Sequence, residues 1–198
     1  MNKQLIISIG REYGSGGHEV ARKLAAKLDI PFYDRNLLDE VAQNKDADVE
    51  ELSQYDEAPH KPFFSRTVRG FSNSPAVNVA ELQFALLKSK AADEDSFVVV
   101  GRCADELFRN EKNALSFFIY SDHDEKIKRI VEHLNISEKD ALKKMERHDK
   151  SRRAYHDYFS SYKWGETKTY DLCLNSSKLG IDGTVDFLYE YIKKYYSL

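Results

Sequence analysis

The apolar, mostly β-branched run Leu5-Ile6-Ile7-Ser8-Ile9 ends at Gly10, and a second glycine cluster, Gly14-Ser15-Gly16-Gly17, follows at once. Val20, Leu24 and Leu28 then recur at helical spacing, with Ala21 and Ala25 beside them. That order predicts a buried strand, a tight glycine loop and an amphipathic helix. In such a unit the backbone N–H groups of Gly14, Ser15, Gly16, Gly17 and His18 can converge on a phosphate at the positive end of the helix dipole. The competing reading is a glycine turn that merely joins strand to helix. Loops that hold nucleotide phosphates usually carry a lysine and a Ser or Thr after the last glycine of the motif, and here Gly17 and His18 follow Gly16. Arg11, at the opening of the loop, is the candidate for folding over the anion in the lysine's stead. Its alternative is an exposed pair with Glu12, worth about 0–1 kcal/mol.

The rest of the chain continues the alternation. Phe32-Tyr33 reads as a second strand ahead of a helix carrying Leu37, Leu38 and Val41; residues 79–92 read as a helix, 97–100 as a buried strand ending at Gly101, and 115–120 as another. Charged amphipathic helices over 124–134 and 137 to about 160, a short strand at 172–174 and a closing helix over 184–195 complete it. The expectation is one three-layer α/β domain over 1–198, with a parallel five-stranded sheet between helices, an insertion at about 47–77 and a helical lid at about 137–163. The insertion holds Pro59, Pro62 and Pro75 with Arg66 and Arg69, and is the segment least determined by local pattern.

A net charge of −3, with 41% hydrophobic and 32% charged residues, suits a soluble globular chain and argues against a surface built to neutralise nucleic acid. The first apolar stretch is too short for a signal peptide or a membrane span. Cys103 and Cys173 lack the spacing of a zinc or redox motif and read as reduced thiols. No metal-ligand spacing is found among the histidines, and the cytoplasm is the expected compartment.

Two further groups carry candidate chemistry. Arg102 and Asp105 follow the strand that ends at Gly101, and Asp34 and Arg35 follow the second strand, at the edge where open α/β sheets bind ligands. Asp34 is a candidate for orienting a substrate hydroxyl or a metal-bound water, against an ordinary helix-cap role. In the late helix, Arg147, Asp149, Arg152 and Arg153 read either as a solvated basic face or as a lid whose guanidiniums neutralise a transferring phosphoryl group.

Taken together, Gly10-Arg11-Glu12-Tyr13-Gly14-Ser15-Gly16-Gly17, Pro31-Phe32-Tyr33-Asp34, Gly101-Arg102-Cys103-Ala104-Asp105, Arg147 to Tyr155 and Asp171 to Asn175 resemble the cytidylate kinase-like family. The resemblance spans nearly the whole chain. It implies a nucleoside monophosphate kinase fold that uses ATP and Mg2+, with nucleotides as its small-molecule partners. CMP or dCMP would be the acceptor. Gly14, Ser15 and Gly16 would match the phosphate loop, Arg102 the contact to the monophosphate, and Arg147, Asp149 and Arg152 or Arg153 the lid. Against that family's pattern, Gly17 stands where the lysine is expected and Glu40 where a phosphate-binding arginine is expected, leaving Arg35, Arg66 or Arg69 as replacements.

Overall fold

The computed structural model of the chain describes residues 4–45, 49–58, 67–68, 71–72 and 74–197. Its centre is a five-stranded parallel sheet made of β1 (Ile6–Arg11), β2 (Phe32–Tyr33), β5 (Phe97–Val100), β6 (Ala114–Tyr120) and β7 (Leu172–Asn175), in the order β2-β5-β1-β6-β7. A separate antiparallel pair, β3 (Thr67–Val68) and β4 (Phe71–Ser72), lies within the insertion. The helices are α1 (Gly17–Leu28), α2 (Leu37–Lys45), α3 (Val49–Ser53), α4 (Pro75–Ala92), α5 (Ala104–Leu107), α6 (His123–Leu134), α7 (Glu138–Phe159) and α8 (Ser176–Tyr196).

Side-chain alternation explains the layers. Ile7, Ile9, Val98, Val100, Phe117 and Ile119 bury one face of the sheet against Val20 and Leu24 of α1 and Val185, Leu188 and Ile192 of α8. Ile6, Phe97 and Val99 turn to the opposite face and meet Leu37, Leu87, Ala104 and Phe108. Strands buried on both sides read as continuous apolar runs, which is why these short segments were legible as strands.

Three boundaries differ from the sequence expectation. Pairing of Gly10 with Phe118 and of Arg11 with Ile119 extends β1 through Arg11. The helix expected from residue 79 begins at Pro75, whose missing N–H suits a first helical turn. The closing helix begins at Ser176, where the Asn175 side chain accepts the Ser177 N–H, and it is broken at Gly180 with φ 66°. Pro59, Pro62, Arg66 and Arg69 lie outside the described residues. Among the described residues, no helix is long and apolar enough to cross a membrane.

All five strands run the same way, so the loop after β1, Asp34 after β2 and Gly101-Arg102 after β5 emerge at one edge of the sheet.

Candidate active site

The glycine loop packs onto α6. Gly14 and Gly16 have φ of 82° and 76°, a region that side chains other than glycine rarely adopt. A Cβ on Gly14 would lie 2.9 Å from the Lys126 carbonyl and from Ile130 Cδ1. Ser15 turns inward, donating its hydroxyl to the Glu12 carbonyl at 2.8 Å, while the Ser176 hydroxyl donates to the Ser15 carbonyl at 2.7 Å. Lys126 is tied to Glu12 at 2.8 Å. Beside the loop, a cavity of about 440 Å3 is lined by Gly14, Gly16, Gly17, His18, Arg129 and Arg152, among others.

His18 leaves the loop sideways. Its Nε2 lies 2.6 Å from an oxygen of Asp34, and that contact, with the Asn36 N–H on the same carboxylate, pulls the Asp34 carboxyl down to about 2. Asp34 is therefore ionised at any physiological pH.

Arg11 does not fold over the loop as expected. As the last residue of β1 it keeps the parity of Ile7 and Ile9, so its stem runs beneath the start of α1 and its guanidinium emerges on the β5 side. There it donates two hydrogen bonds to Glu57, at 2.9 and 3.0 Å. Arg102 is 1% exposed; it donates to Asp56 at 2.7 Å and to the Val100 carbonyl at 3.0 Å, and its backbone N–H points at Glu57 at 3.2 Å. Arg152 of α7 brings Nε to 3.8 Å from the same Glu57 carboxylate and donates to the Arg11 carbonyl at 3.4 Å. Three arginines from β1, the β5 edge and α7 thus surround one carboxylate supplied by the insertion.

The electrostatics follow from that crowding. Burial alone would push the Glu57 carboxyl up, but the charges of Arg11 and Arg102 outweigh it and hold the group well below the carboxylate range. Burial, then the neighbouring Arg11 charge, pulls the Arg152 guanidinium down to about 10. Asp56, also buried, is pushed up by desolvation despite Arg102. Gly101, Arg102 and Cys103 all have positive φ, at 72°, 55° and 50°. Any side chain at Gly101 would overlap the Glu57 carboxylate and the Arg11 guanidinium. Such strain in consecutive residues persists only where surrounding contacts hold it. Arg11 Nε, Arg102 Nε and the Tyr155 hydroxyl make no hydrogen bond among the described residues, so the cage has donors to spare.

The remaining candidates fall elsewhere. Arg147 is exposed at the loop edge, and Arg153 is exposed with its guanidinium 5.5 Å from the Trp164 ring; the helical turn separates both from Arg152. Asp149 meets the loop instead of the acceptor side, accepting the Tyr13 N–H at 2.7 Å, while Tyr13 stacks on His148 with centroids 4.4 Å apart. Arg35 is 69% exposed and only approaches Asp56, at 3.7 Å. Asp105 is buried below the rim and bonded to His156 of α7 at 2.8 Å, because α5 turns it toward α7. Ligand atoms of Cys103, Asp105 and His156 lie within 4.8 Å of one another. With His156 already on Asp105 and Arg109 3.9 Å from the same carboxylate, this trio locks α5 to α7 by charge and hydrogen bonding.

Asp56, Glu57 and Arg129 were not singled out by sequence. The signal for the first two is an acidic pair just before Pro59, which gains meaning only once the arginines it meets are known.

A family model described as the cytidylate kinase-like family matches residues 6–178. No curated protein sequence matches the chain. Among solved structures, an uncharacterized protein from Eubacterium ventriosum is similar at 38% identity and a TM-score of 0.76, over 96% of this chain and 99% of that one. Shikimate kinases share the fold at lower identity. The enzyme from Bacteroides thetaiotaomicron is 16% identical with a TM-score of 0.56, covering 96% of this chain and 98% of its own. The Aquifex aeolicus enzyme is 15% identical with a TM-score of 0.51, covering 96% and 97%. The architecture is that of the P-loop kinases.

Proposed function

The chain belongs to the cytidylate kinase-like family, and from that premise we propose that it transfers the γ-phosphoryl group of ATP to a nucleoside monophosphate, CMP or dCMP. Membership of a kinase-like family on a P-loop kinase fold supports the coarser statement, phosphoryl transfer to a small acceptor. The observation that carries the acceptor side is the cage of Arg11, Arg102 and Arg152 around Glu57, beside the glycine loop. Three guanidiniums held around a carboxylate form an anion site, and the acceptor's phosphate takes the place of Glu57 there. The orphaned Nε groups of Arg11 and Arg102 would meet its additional oxygens.

In this reading the amides of Gly14 to His18, at the positive end of α1, hold the donor phosphates. Residues 137–163 act as the lid, with Arg152 reaching between donor and acceptor. Arg147, at the loop edge, would approach only on closure. Asp34 fits the oxygen ligand that Mg2+ prefers, since it is ionised and at the rim. When bound, Mg2+ neutralises charge on the donor's terminal phosphates. The acceptor oxygen attacks in line and forms the new P–O bond; the bond to the β-phosphate breaks, and ADP leaves with its electron pair. A phosphate acceptor needs no base, so the work of the chain is positioning and charge neutralisation. The free thiols and the ATP requirement suit the cytoplasm.

A second reading has a specific observation behind it. The group now in the cage is a carboxylate, and ionised Asp34 lies at the same sheet edge, which suits a small acceptor bearing a carboxylate and a hydroxyl whose proton Asp34 would take. ADP release measured with CMP, dCMP, UMP, AMP and shikimate separates the two. Turnover restricted to CMP and dCMP supports the first, turnover on the hydroxy acid supports the second, and ATP binding without turnover on any acceptor overturns both in favour of a binding module.

A further inference from the structure

The packing around the loop leaves no room for a lysine at position 17. A Cβ on Gly17 would stand 2.5 Å from Arg11 Cβ and 3.1 Å from Ile119 Cβ, both close to the backbone and unable to move aside cheaply. Arg11 needs that space because its stem passes under Gly17, and its charge is committed to Glu57 on the other side of the strand. Neither residue can therefore present a cation to phosphates on the loop.

We propose that Arg129 of α6 supplies that cation and contacts the terminal phosphates of the bound nucleotide. The inference rests on the reading of the glycine loop as the donor site. The loop is laid along α6 through Gly14, and a Cβ on Gly16 would lie 3.2 Å from Arg129 Cζ and 3.5 Å from its Nε. The guanidinium thus lies, with Ile181, against Gly16, the residue that caps the N-terminus of α1, and lines both the 440 Å3 cavity and the adjoining cleft of about 260 Å3. Among the described residues only its Nη2 is paired, with Glu19 in the first turn of α1. A guanidinium has five donors, so one carboxylate holds Arg129 in place while others remain for phosphate oxygens. Protein kinases, whose phosphate-binding lysine is also off the loop, fix it in the same way with a helix glutamate. Other cations nearby are less suited. Lys126 is bound to Glu12, Arg152 lies in the acceptor cage, and Arg22 is exposed further along α1.

The test is displacement of a fluorescent ATP analogue by ATP and by AMP, on the full chain and its variants. Arg129→Ala should weaken ATP by about 10- to 100-fold, the range of a charge-assisted contact, while AMP, which lacks the terminal phosphates, changes by less than about threefold. Arg129→Lys should recover part of the loss. Glu19→Gln, which removes the ion-pair partner and keeps the guanidinium, should retain ATP affinity. Unfolding midpoints of the unliganded variants show whether each is folded, and Arg129→Lys carries the comparison if the alanine variant is not. Wild-type affinity in Arg129→Ala, parallel loss of ATP and AMP, or an equal loss in Glu19→Gln would overturn the proposal. So would a larger loss in Arg22→Ala than in Arg129→Ala. Failure of the wild-type chain to bind the ATP analogue at all would instead sink the donor-site reading beneath it.

Discussion

Replacing Glu57 by Gln keeps the shape of the side chain and removes the one charge on which Arg11, Arg102 and Arg152 converge. Gln has an amide in place of one carboxylate oxygen, so one of the two Arg11 hydrogen bonds, at 2.9 and 3.0 Å, meets a donor instead of an acceptor. Among the described residues, Arg102 is left 1% exposed with Asp56 as its remaining anion, and Arg11 has none at hydrogen-bond distance. Removing one partner of a buried pair typically costs about 3–5 kcal/mol. For a chain of this length that is a fall in melting temperature of about 6–20 °C. The pH dependence has a definite sign. Glu57 titrates in the folded chain below its ordinary value of 4.5. Its contribution is thus fully present above the unfolded value and is lost as pH falls through the folded one. The gap between wild type and Glu57→Gln, measured by urea unfolding, should be constant from pH 8 to about 5 and shrink at lower pH. Inorganic phosphate should stabilise the variant more than the wild type, because a neutral amide competes with it less for the three guanidiniums. A gap below about 0.5 kcal/mol, within ordinary surface-substitution effects, would refute the idea that Glu57 neutralises the cage.

Three other outcomes are expected. Gly17→Lys should destabilise the chain by about 1–3 kcal/mol through overpacking against Arg11 and Ile119, and the same substitution made in an Arg11→Gly background, itself weakened by loss of the Glu57 pair, should cost much less, as a double-mutant cycle in urea would measure. Asp34→Asn should lower kcat at saturating Mg2+ by about 10²–10⁴ if the acceptor is a hydroxyl whose proton it takes, whereas with a phosphate acceptor its main effect should be a raised Mg2+ requirement, which steady-state kinetics against Mg2+ concentration would resolve. Burial lowers the His156 pKa, but the hydrogen bond and charge of Asp105 more than reverse this, so the group is raised above 6.5. Its stabilisation is complete below 6.5 and is lost as pH rises through the folded value; Asp105→Asn should flatten that part of the stability profile measured by thermal melts.

The strand, glycine loop and helix were legible in the sequence, as was the alternation of elements that builds the sheet. Strand and helix periodicities are local, and a glycine at positive φ is a local demand, so residues 5–9, 14–28, 97–100 and 115–120 state their own conformation. The address of Arg102 followed from strand direction alone. Where the arginines point was decided only in three dimensions. Two more residues of pairing with β6 put Arg11 inside the strand register, and parity then laid its stem under Gly17 with its guanidinium on Glu57. Helical phase separated Arg152 from Arg147 and Arg153. Glu57 reaches Arg11 across 46 residues of chain, and Arg129 reaches Glu19 across 110. Charge pairing of that range leaves no periodic trace in a sequence, because any acidic residue serves until packing selects one. The glycine loop therefore pointed toward a phosphate site, while the tertiary structure alone decided that Arg129 lies beside that loop and that Arg11, Arg102 and Arg152 already surround a carboxylate.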